Sequence, residues 1–200
     1  MQWRVCAAAM SDGTDDQLMG RAARGDRAAF ATLVARHAAR AAAIAVRVTG
    51  NRSDAEEIVQ EAFLRAWQKA PDWQAQADRA GGAAVSTWLY RVVVNLCLDR
   101  RRRPAWDGIE AAGEVADPAP GAFAAVARSE AAGRVAAAVA ALPERQRAAL
   151  TLCHYENLSN AEAAAILDIS VGAVESLLVR ARRTLRTQLD DLVLPETSGA

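Results

Sequence analysis

Aromatic and basic side chains that could hold a nucleic acid recur along one predicted helix, "STWLYRVVVNLCLDRRRR". Wound at about 100° per residue, Leu89 and Val93 point towards a core, whereas Trp88, Arg91 and Asn95 lie on another face. A guanidinium can donate two hydrogen bonds to the oxygens of a phosphate, and an indole offers a stacking surface for an unpaired base. The candidate single-strand contacts are Trp88, Arg91, Asn95, Asp99, Arg100, Arg101, Arg102 and Arg103. A core tryptophan followed by a solvated basic helix end explains the pattern equally well.

A second candidate nucleic-acid surface lies near the C-terminus, in "SNAEAAAILDISVGAVESLLVRARRTL". Ser159 and Glu162 predict a capping box for a helix from Asn160 to about Leu167. The turn "DIS" follows, and Ser170 caps a longer helix, which completes a helix-turn-helix layout whose second helix enters the major groove. The residues predicted to face DNA are Ser170, Gly172, Glu175, Ser176, Val179, Arg180 and Arg183. The alternative is an ordinary helical hairpin with a charged outer face.

The stretch "DAEEIVQEAFLRAW", residues 54–67, predicts a helix with two distinct faces. Ala55, Ile58, Ala62 and Ala66 form an apolar stripe of the kind that packs on a core. The opposite face combines carboxylate and amide side chains with two large apolar residues; its members are Glu57, Gln60, Glu61, Leu64 and Trp67. A face that only contacts water does not require a leucine and a tryptophan.

Sequence patterns for catalysis or metal binding are absent from the chain. It contains no GxxxxGK[ST], HExxH or GxSxG motif. The three cysteines, Cys6, Cys97 and Cys153, are too few and too widely spaced for a disulfide framework, and no further ligand completes a site around Cys153 and His154. We therefore predict neither an enzyme, nor a cofactor, nor a metal site. No apolar run approaches the roughly 18 residues of a membrane span, and we expect a cytoplasmic protein.

Composition and charge predict the architecture. Of the 200 residues 52 % are hydrophobic, many of them alanine, and only 5 % are aromatic, which favours helices over strands. The formal net charge is zero, but residues 12–103 carry 15 basic and 11 acidic side chains, whereas residues 104–129 carry four acidic residues and one basic. We predict an all-α protein with two small helical domains, residues 12–103 and 130–194, joined by a flexible acidic linker, residues 104–129. The second domain contains the helix-turn-helix.

Local signals predict where the individual helices begin and end. Gly25 ends a first helix that begins at Asp15, Asp26 caps a second, and Gly50 stops it. Ser53 and Glu56 suggest a capping box for the third helix, and Pro71 suggests its end, with a polar loop after it. A fourth helix is expected from about Ser86, and another from about Ala124 to Ala141.

Taken together, these stretches resemble the extracytoplasmic-function (ECF) sigma factors, the two-domain initiation subunits of bacterial RNA polymerase. The resemblance covers roughly residues 15–189 apart from the linker. It depends on "GDRAAFATLVARH", "DAEEIVQEAFLRAW", "STWLYRVVVNLCLDRRRR" and the segment from "LPERQRAALTL" to "RARRTLR", which occur in the family's order and spacing.

The resemblance implies a role for each surface. The face of residues 57–67 corresponds to the site that binds the coiled coil of the polymerase largest subunit. The helix from Ser86 corresponds to the part that melts the promoter −10 element and binds its single strand, and the helix-turn-helix to the part that recognises duplex DNA at −35. The family is commonly controlled by an anti-sigma factor. Glu175 departs from the basic or small polar residue often found there, so the −35 sequence does not follow from the resemblance.

Two other functions are compatible with parts of the pattern. A sigma-like decoy would bind an anti-sigma factor without binding promoters, although this chain keeps the basic residues that such decoys can lose. A stand-alone helix-turn-helix regulator would not need the face of residues 57–67, and usually acts as a dimer on paired half-sites.

Overall fold

The structure is a computed structural model that describes residues 13–77, 84–102 and 122–190, and within these the side chains of residues 74–77, 101–102 and 122–130 are left out of the description. All regular elements of these ranges are helical, as expected for an all-α protein. The helices are α1 (Asp15–Ala23), α2 (Arg27–Thr49), α3 (Arg52–Ala77), α4 (Val85–Arg102), α5 (Ala122–Ala140), α6 (Glu144–Leu150), α7 (Asn160–Leu167) and α8 (Val171–Gln188). A π-helical turn, Thr151–Tyr155, continues α6.

Side-chain caps determine the first helix boundaries. Thr14 and Gln17 form a capping box at the start of α1. Asp26 accepts hydrogen bonds from the backbone N–H groups of Ala28 and Ala29, both at 3.0 Å, and so caps α2 as predicted. Gly50 ends α2 in the left-handed conformation (φ 75°), which glycine adopts without steric cost.

The N-terminal unit, α1–α4, packs around α2. The large side chains that it buries completely include Leu18, Met19, Ile44, Val48, Leu89 and Val93. In the described part of the chain α2 alone is long and apolar enough to cross a membrane, but its apolar stripe packs against α1, α3 and α4. It therefore has the character of a core helix.

A buried polar chain connects three helices of this unit. His37 Nε2 on α2 lies 2.6 Å from Asp15 Oδ2 on α1. The other ring nitrogen, Nδ1, lies 2.9 Å from the hydroxyl oxygen of Tyr90 on α4. Arg36 also contacts Asp15, at 2.9 Å. Burial raises the pKa of Tyr90 above its ordinary value, so the hydroxyl stays protonated. Because buried polar groups are costly when unpaired, this chain helps to determine how α1 and α4 pack on α2.

Two sequence predictions about α3 were wrong. The helix begins at Arg52, and Asn51 Oδ1 accepts the backbone N–H of Asp54 at 3.1 Å, so the cap is Asn51 rather than Ser53. The helix also continues through Pro71 to Ala77. Proline costs one hydrogen bond of the preceding turn, but the continued helix buries Trp73 against α1, and the indole N–H lies 3.3 Å from Asp16 Oδ1. Tertiary packing outweighs the local helix-breaking signal.

The C-terminal unit, α5–α8, contains the predicted helix-turn-helix. Ser159 and Glu162 form the capping box of α7, and Ser170 accepts the backbone N–H of Ala173 to cap α8, as predicted. α5 begins at Ala122, so helical backbone includes the last residues assigned to the linker by sequence. At the π-helical turn that continues α6, the N–H of Glu156 donates to the carbonyl of Thr151 at 3.0 Å.

The two units pack on each other. α7 lies along α4, and α6 with its π-helical turn lies against α2. Val93 and Cys97 of the first unit and Leu152, Ala163 and Ile166 of the second belong to one continuous buried cluster. Residues 103–121, which include most of the predicted linker (residues 104–129), lie outside the described residues.

Candidate polymerase-binding and DNA-binding surfaces

The outward face of α3 carries a large apolar side chain among polar ones. Leu64 is 51 % exposed, and Glu57 and Gln60 beside it are exposed as well. Glu61, half-buried, accepts a hydrogen bond from Arg65 at 2.8 Å. An exposed leucine rimmed by carboxylate and amide groups resembles the centre of a protein interface, where an apolar anchor is surrounded by polar contacts.

Trp67, the other apolar member of the predicted α3 face, is only partly available. Its ring meets Phe30 edge to face, with centroids 5.0 Å apart and planes at 71°. The indole is half-buried against the core. Leu64 is therefore the principal apolar group on this face, and Trp67 borders it.

Arg100 connects the predicted polymerase face with the predicted DNA face. Its guanidinium lies 2.7 Å from Glu57 Oε2 and 2.9 Å from Asp54 Oδ1, so it spans from α4 to α3. The hydrogen bond to Glu57 raises the pKa of Arg100 above its ordinary value. The two helices enclose a groove of about 390 Å³ lined by Glu57, Ile58, Glu61, Arg65, Leu96, Asp99 and Arg100. In this structure Arg100 holds Glu57, rather than pointing freely towards a nucleic acid.

The other predicted single-strand contacts on α4 differ in accessibility. Asn95 and Asp99 are exposed, whereas Trp88 is half-buried and meets Trp73 edge to face. Arg91 donates hydrogen bonds to the carbonyl of Ala165 on α7, with Nε at 3.1 Å. The side chains of Arg101 and Arg102, and all of Arg103, lie outside the described residues.

The outward face of α8 agrees closely with its predicted geometry. The predicted DNA-facing residues Ser170, Gly172, Glu175, Ser176, Val179, Arg180 and Arg183 are all exposed, with Val179 at 62 %. On the opposite side, Val174, Leu178 and Ala181 are buried. Ser176 donates to the carbonyl of Gly172 at 2.9 Å, so its hydroxyl is partly occupied by its own helix. This arrangement leaves two guanidiniums and an apolar group available to a DNA groove.

Sequence analysis missed the residues that join the two units. Arg40 and Arg47 on α2 both contact the carboxylate of Glu156, which follows the π-helical turn. No local motif marks such a contact, because the partners are more than 100 positions apart in the chain. Trp73 was detectable, since Ala66, Ala70 and Trp73 continue the apolar period of α3 past Pro71.

Comparison with known proteins identifies the two units. The sequence signature of Sigma-70 region 2 matches residues 33–107, and that of Sigma-70 region 4 matches residues 132–185. The RNA polymerase sigma-H factor of Pseudomonas aeruginosa is 31 % identical over 90 % of this chain and 95 % of its own length. The ECF RNA polymerase sigma factor SigW of Bacillus subtilis is 33 % identical over 84 % and 93 %, respectively.

Solved structures agree with this comparison. CnrH, solved in complex with the cytosolic domain of CnrY, is 32 % identical and superposes with a TM-score of 0.62 over 88 % of this chain and 97 % of CnrH. RpoE of Bartonella quintana, solved with the anti-sigma factor NepR, shares the fold with a TM-score of 0.60 at 22 % identity, over 80 % of this chain and 96 % of RpoE.

Region 2 followed by region 4, in a chain whose described elements are all helical and carry these exposed faces, defines a transcription initiation factor of the sigma-70 class. Within that class, the chain belongs to the ECF family of RNA polymerase sigma factors. Its function is promoter-specific initiation of transcription, and as a sigma factor it binds core RNA polymerase and promoter DNA.

Proposed function

We propose that the three exposed faces of this sigma factor each bind a different partner. The α3 face, Glu57, Gln60, Glu61, Leu64 and Trp67, binds the coiled coil of the polymerase largest subunit. The α4 face binds the −10 element as a single strand, and the α8 face binds the −35 element as a duplex. The observation that carries this proposal is the exposure of Leu64 opposite the core stripe of α3, because a regulator that acts on DNA alone has no use for it.

The −35 assignment is supported by the chemistry of α8. Arg180 and Arg183 can donate to guanine or to phosphate, and Val179 beside them can contact a thymine methyl group. Glu175 on the same face can accept from cytosine N4 but repels phosphate, so it favours a cytosine among the bases that α8 meets. The exposure of all four side chains is compatible with entry of α8 into a major groove.

The −10 assignment is supported by the combination of Trp88 and Asn95 on one side of α4. Asn95 is exposed and can donate to and accept from a base edge. Trp88, although half-buried, retains part of its ring surface for a base. Asp99 and Arg100 lie at the end of this face that adjoins α3.

We further propose that the chain acts in the cytoplasm under control of an anti-sigma factor and does not itself catalyse a reaction. CnrH, its structural relative, is solved bound to the cytosolic domain of CnrY. The faces proposed here contain side chains suited to binding, and on the α3 face Glu57 and Glu61 contact Arg100 and Arg65.

Run-off transcription with core RNA polymerase tests this proposal, and Leu64→Asp is the informative variant. A charge placed at an interface anchor costs about 2 kcal/mol or more, which corresponds to at least a roughly 30-fold loss of affinity for core enzyme. Val135→Asp on α5 is the matched control, because Val135 is another exposed apolar side chain (39 %) outside the proposed surfaces.

Three results would contradict the proposal. Co-purification of Leu64→Asp with core polymerase at the wild-type yield would remove the α3 face from the polymerase site. An equal loss in Val135→Asp would show that the effect is not specific. Absence of transcription by the wild-type chain, with core enzyme bound, would favour the decoy alternative.

A further inference from the structure

The guanidinium of Arg100 holds two carboxylates of the neighbouring helix at once. Its Nη1 lies 2.7 Å from Glu57 Oε2, and its Nη2 lies 2.9 Å from Asp54 Oδ1. Only arginine has the planar fork that such a double contact requires, because the ammonium of a lysine is a single point of charge. Glu57 is a member of the proposed polymerase-binding face of α3, whereas Asp54 belongs to none of the proposed binding surfaces.

The charges of these side chains suit the helix ends at which they lie. Asp54 is in the first turn of α3, and Arg100 is in the last turn of α4. A helix N-terminus favours a carboxylate and a helix C-terminus favours a cation. The side chains of Arg100, Asp54 and Glu57 are all partly exposed, and ion pairs between such groups contribute little to the free energy of unfolding. The main effect of the contact is therefore on the orientation of Glu57.

Both carboxylates of the α3 face are held by an arginine. Glu61 accepts a hydrogen bond from Arg65, one turn along the same helix, whereas Glu57 is held from α4. A flexible side chain loses rotamer freedom when a partner binds it, and a side chain that is already ordered loses less. Arg100 contacts only Oε2 of Glu57, so the second carboxylate oxygen can still accept a hydrogen bond from a partner.

We infer that Arg100 is a positioning residue of the polymerase-binding face, which orders Glu57 for contact with core polymerase and does not itself bind the −10 strand. The inference rests on the proposed function of the α3 face and adds a residue that acts through it. The sequence pattern predicted a single-strand contact for Arg100. Two of its three nitrogens instead contact carboxylates, and two carboxylates around one guanidinium leave a net negative charge that repels phosphate.

A double-mutant cycle on the affinity for core RNA polymerase tests whether Arg100 acts through Glu57. Arg100→Gln should weaken binding by about two- to tenfold, which is the cost of ordering one flexible side chain. In a Glu57→Ala background the same change should have no further effect, because the face then has no carboxylate for Arg100 to hold. Arg100→Lys keeps the charge without the fork, so it should recover only part of the loss.

Asp54→Asn provides an independent route to the same effect, because Asp54 holds the guanidinium from outside the proposed surfaces. It should weaken core binding in the same direction as Arg100→Gln, and it serves in place of that variant if Arg100→Gln does not fold. Glu56→Gln is the matched control: it makes the same charge change near the start of α3, at a carboxylate that contacts Arg52 of its own helix, and it should leave the affinity unchanged. Thermal unfolding followed by circular dichroism should be nearly the same for all these variants, so that a loss of affinity is not a loss of fold.

The salt dependence of open-complex formation separates the positioning role from a DNA contact. With core polymerase at a saturating concentration, Arg100→Gln should keep the wild-type salt slope on a promoter mapped by run-off transcription. Loss of a contact to one phosphate of a single strand would instead lower that slope by about 0.7.

Unchanged or tighter binding of core polymerase by Arg100→Gln would overturn the inference. It would also be overturned by a loss of affinity that persists in the Glu57→Ala background, by a loss that Asp54→Asn does not share, or by a lower salt slope. Failure of the proposed function has a different signature, since Leu64→Asp would then bind core polymerase like the wild type, whatever the Arg100 variants do.

Discussion

The indole rings of Trp73 on α3 and Trp88 on α4 meet edge to face, with centroids 5.9 Å apart and ring planes at 72°. This pair joins the end of α3 to the start of α4. Trp88 therefore has two environments, because its ring packs on Trp73 while the residue remains partly exposed to solvent. Trp88 can therefore stack on a promoter base, pack on Trp73, or do both, and mutation can separate these two roles.

We predict that Trp88→Ala impairs promoter opening more than it impairs folding. Loss of the edge-to-face pair costs about 0.5–1.5 kcal/mol beyond the buried area, whereas loss of base stacking reduces opening by a further about 1–3 kcal/mol. Trp73→Ala is the control, since it breaks the same pair from the buried side. Permanganate reactivity of −10 thymines, measured alongside thermal unfolding, distinguishes the two. Equal opening by both variants, after correction for stability, would assign Trp88 to packing alone.

Arg180→Ala is expected to weaken binding of the −35 duplex by about 1–3 kcal/mol and to relax base preference at one position, if Arg180 contacts a base. If it contacts phosphate only, all sequences should weaken alike and the salt slope should fall by about one. Arg182→Ala is the control, because Arg182 lies 3.2 Å from His154 on another side of the helix. Unchanged affinity and salt slope in Arg180→Ala would show that this face does not contact DNA.

Ser159→Ala should destabilise the chain, by about 1 kcal/mol for a typical N-cap, and alter its acid sensitivity. Hydrogen bonds from the Ser159 side chain and backbone lower the pKa of Glu162 below its ordinary value. A carboxylate with a lowered folded-state pKa stabilises the fold above its unfolded pKa, about 4.3, and loses that contribution as pH falls through the lower value. Urea unfolding across this range should therefore show a smaller pH dependence in Ser159→Ala. Parallel pH curves for wild type and variant would contradict the role of this capping box.

Cys97 should resist alkylation in the folded chain. Burial in α4 raises the pKa of its thiol to about 12, so almost none is thiolate at neutral pH. The folded-state pKa lies above the unfolded value of about 8.5. The contribution of Cys97 to the free energy of unfolding is therefore complete below about pH 8.5, and it declines as the pH rises towards 12. We expect iodoacetamide to modify Cys97 only after denaturant is added, and the partly exposed Cys153 to react before Cys97. Mass spectrometry of the labelled peptides gives the order, and equal rates for both thiols in the native chain would refute burial of Cys97.

Local chemistry in the sequence was sufficient to predict much of this protein. The caps at Asp26, Ser159 and Ser170 and the stop at Gly50 each satisfy backbone groups within a few residues, so their effect requires no knowledge of the fold. The same holds for the α8 face and for Leu64, because helical periodicity alone separates exposed from buried positions.

Relationships between distant segments depended on tertiary structure. α3 passes through Pro71 because Trp73 has a buried site on α1 and α4, and a local signal contains no information about that site. Trp67 turned inward because Phe30 is opposite, and Arg100 turned towards α3 because Asp54 and Glu57 lie there. Arg91 and Glu156 are explained only by the packing of one unit on the other. Periodicity assigns a side chain to a face of its helix, but the partner that this face meets depends on how the helices pack.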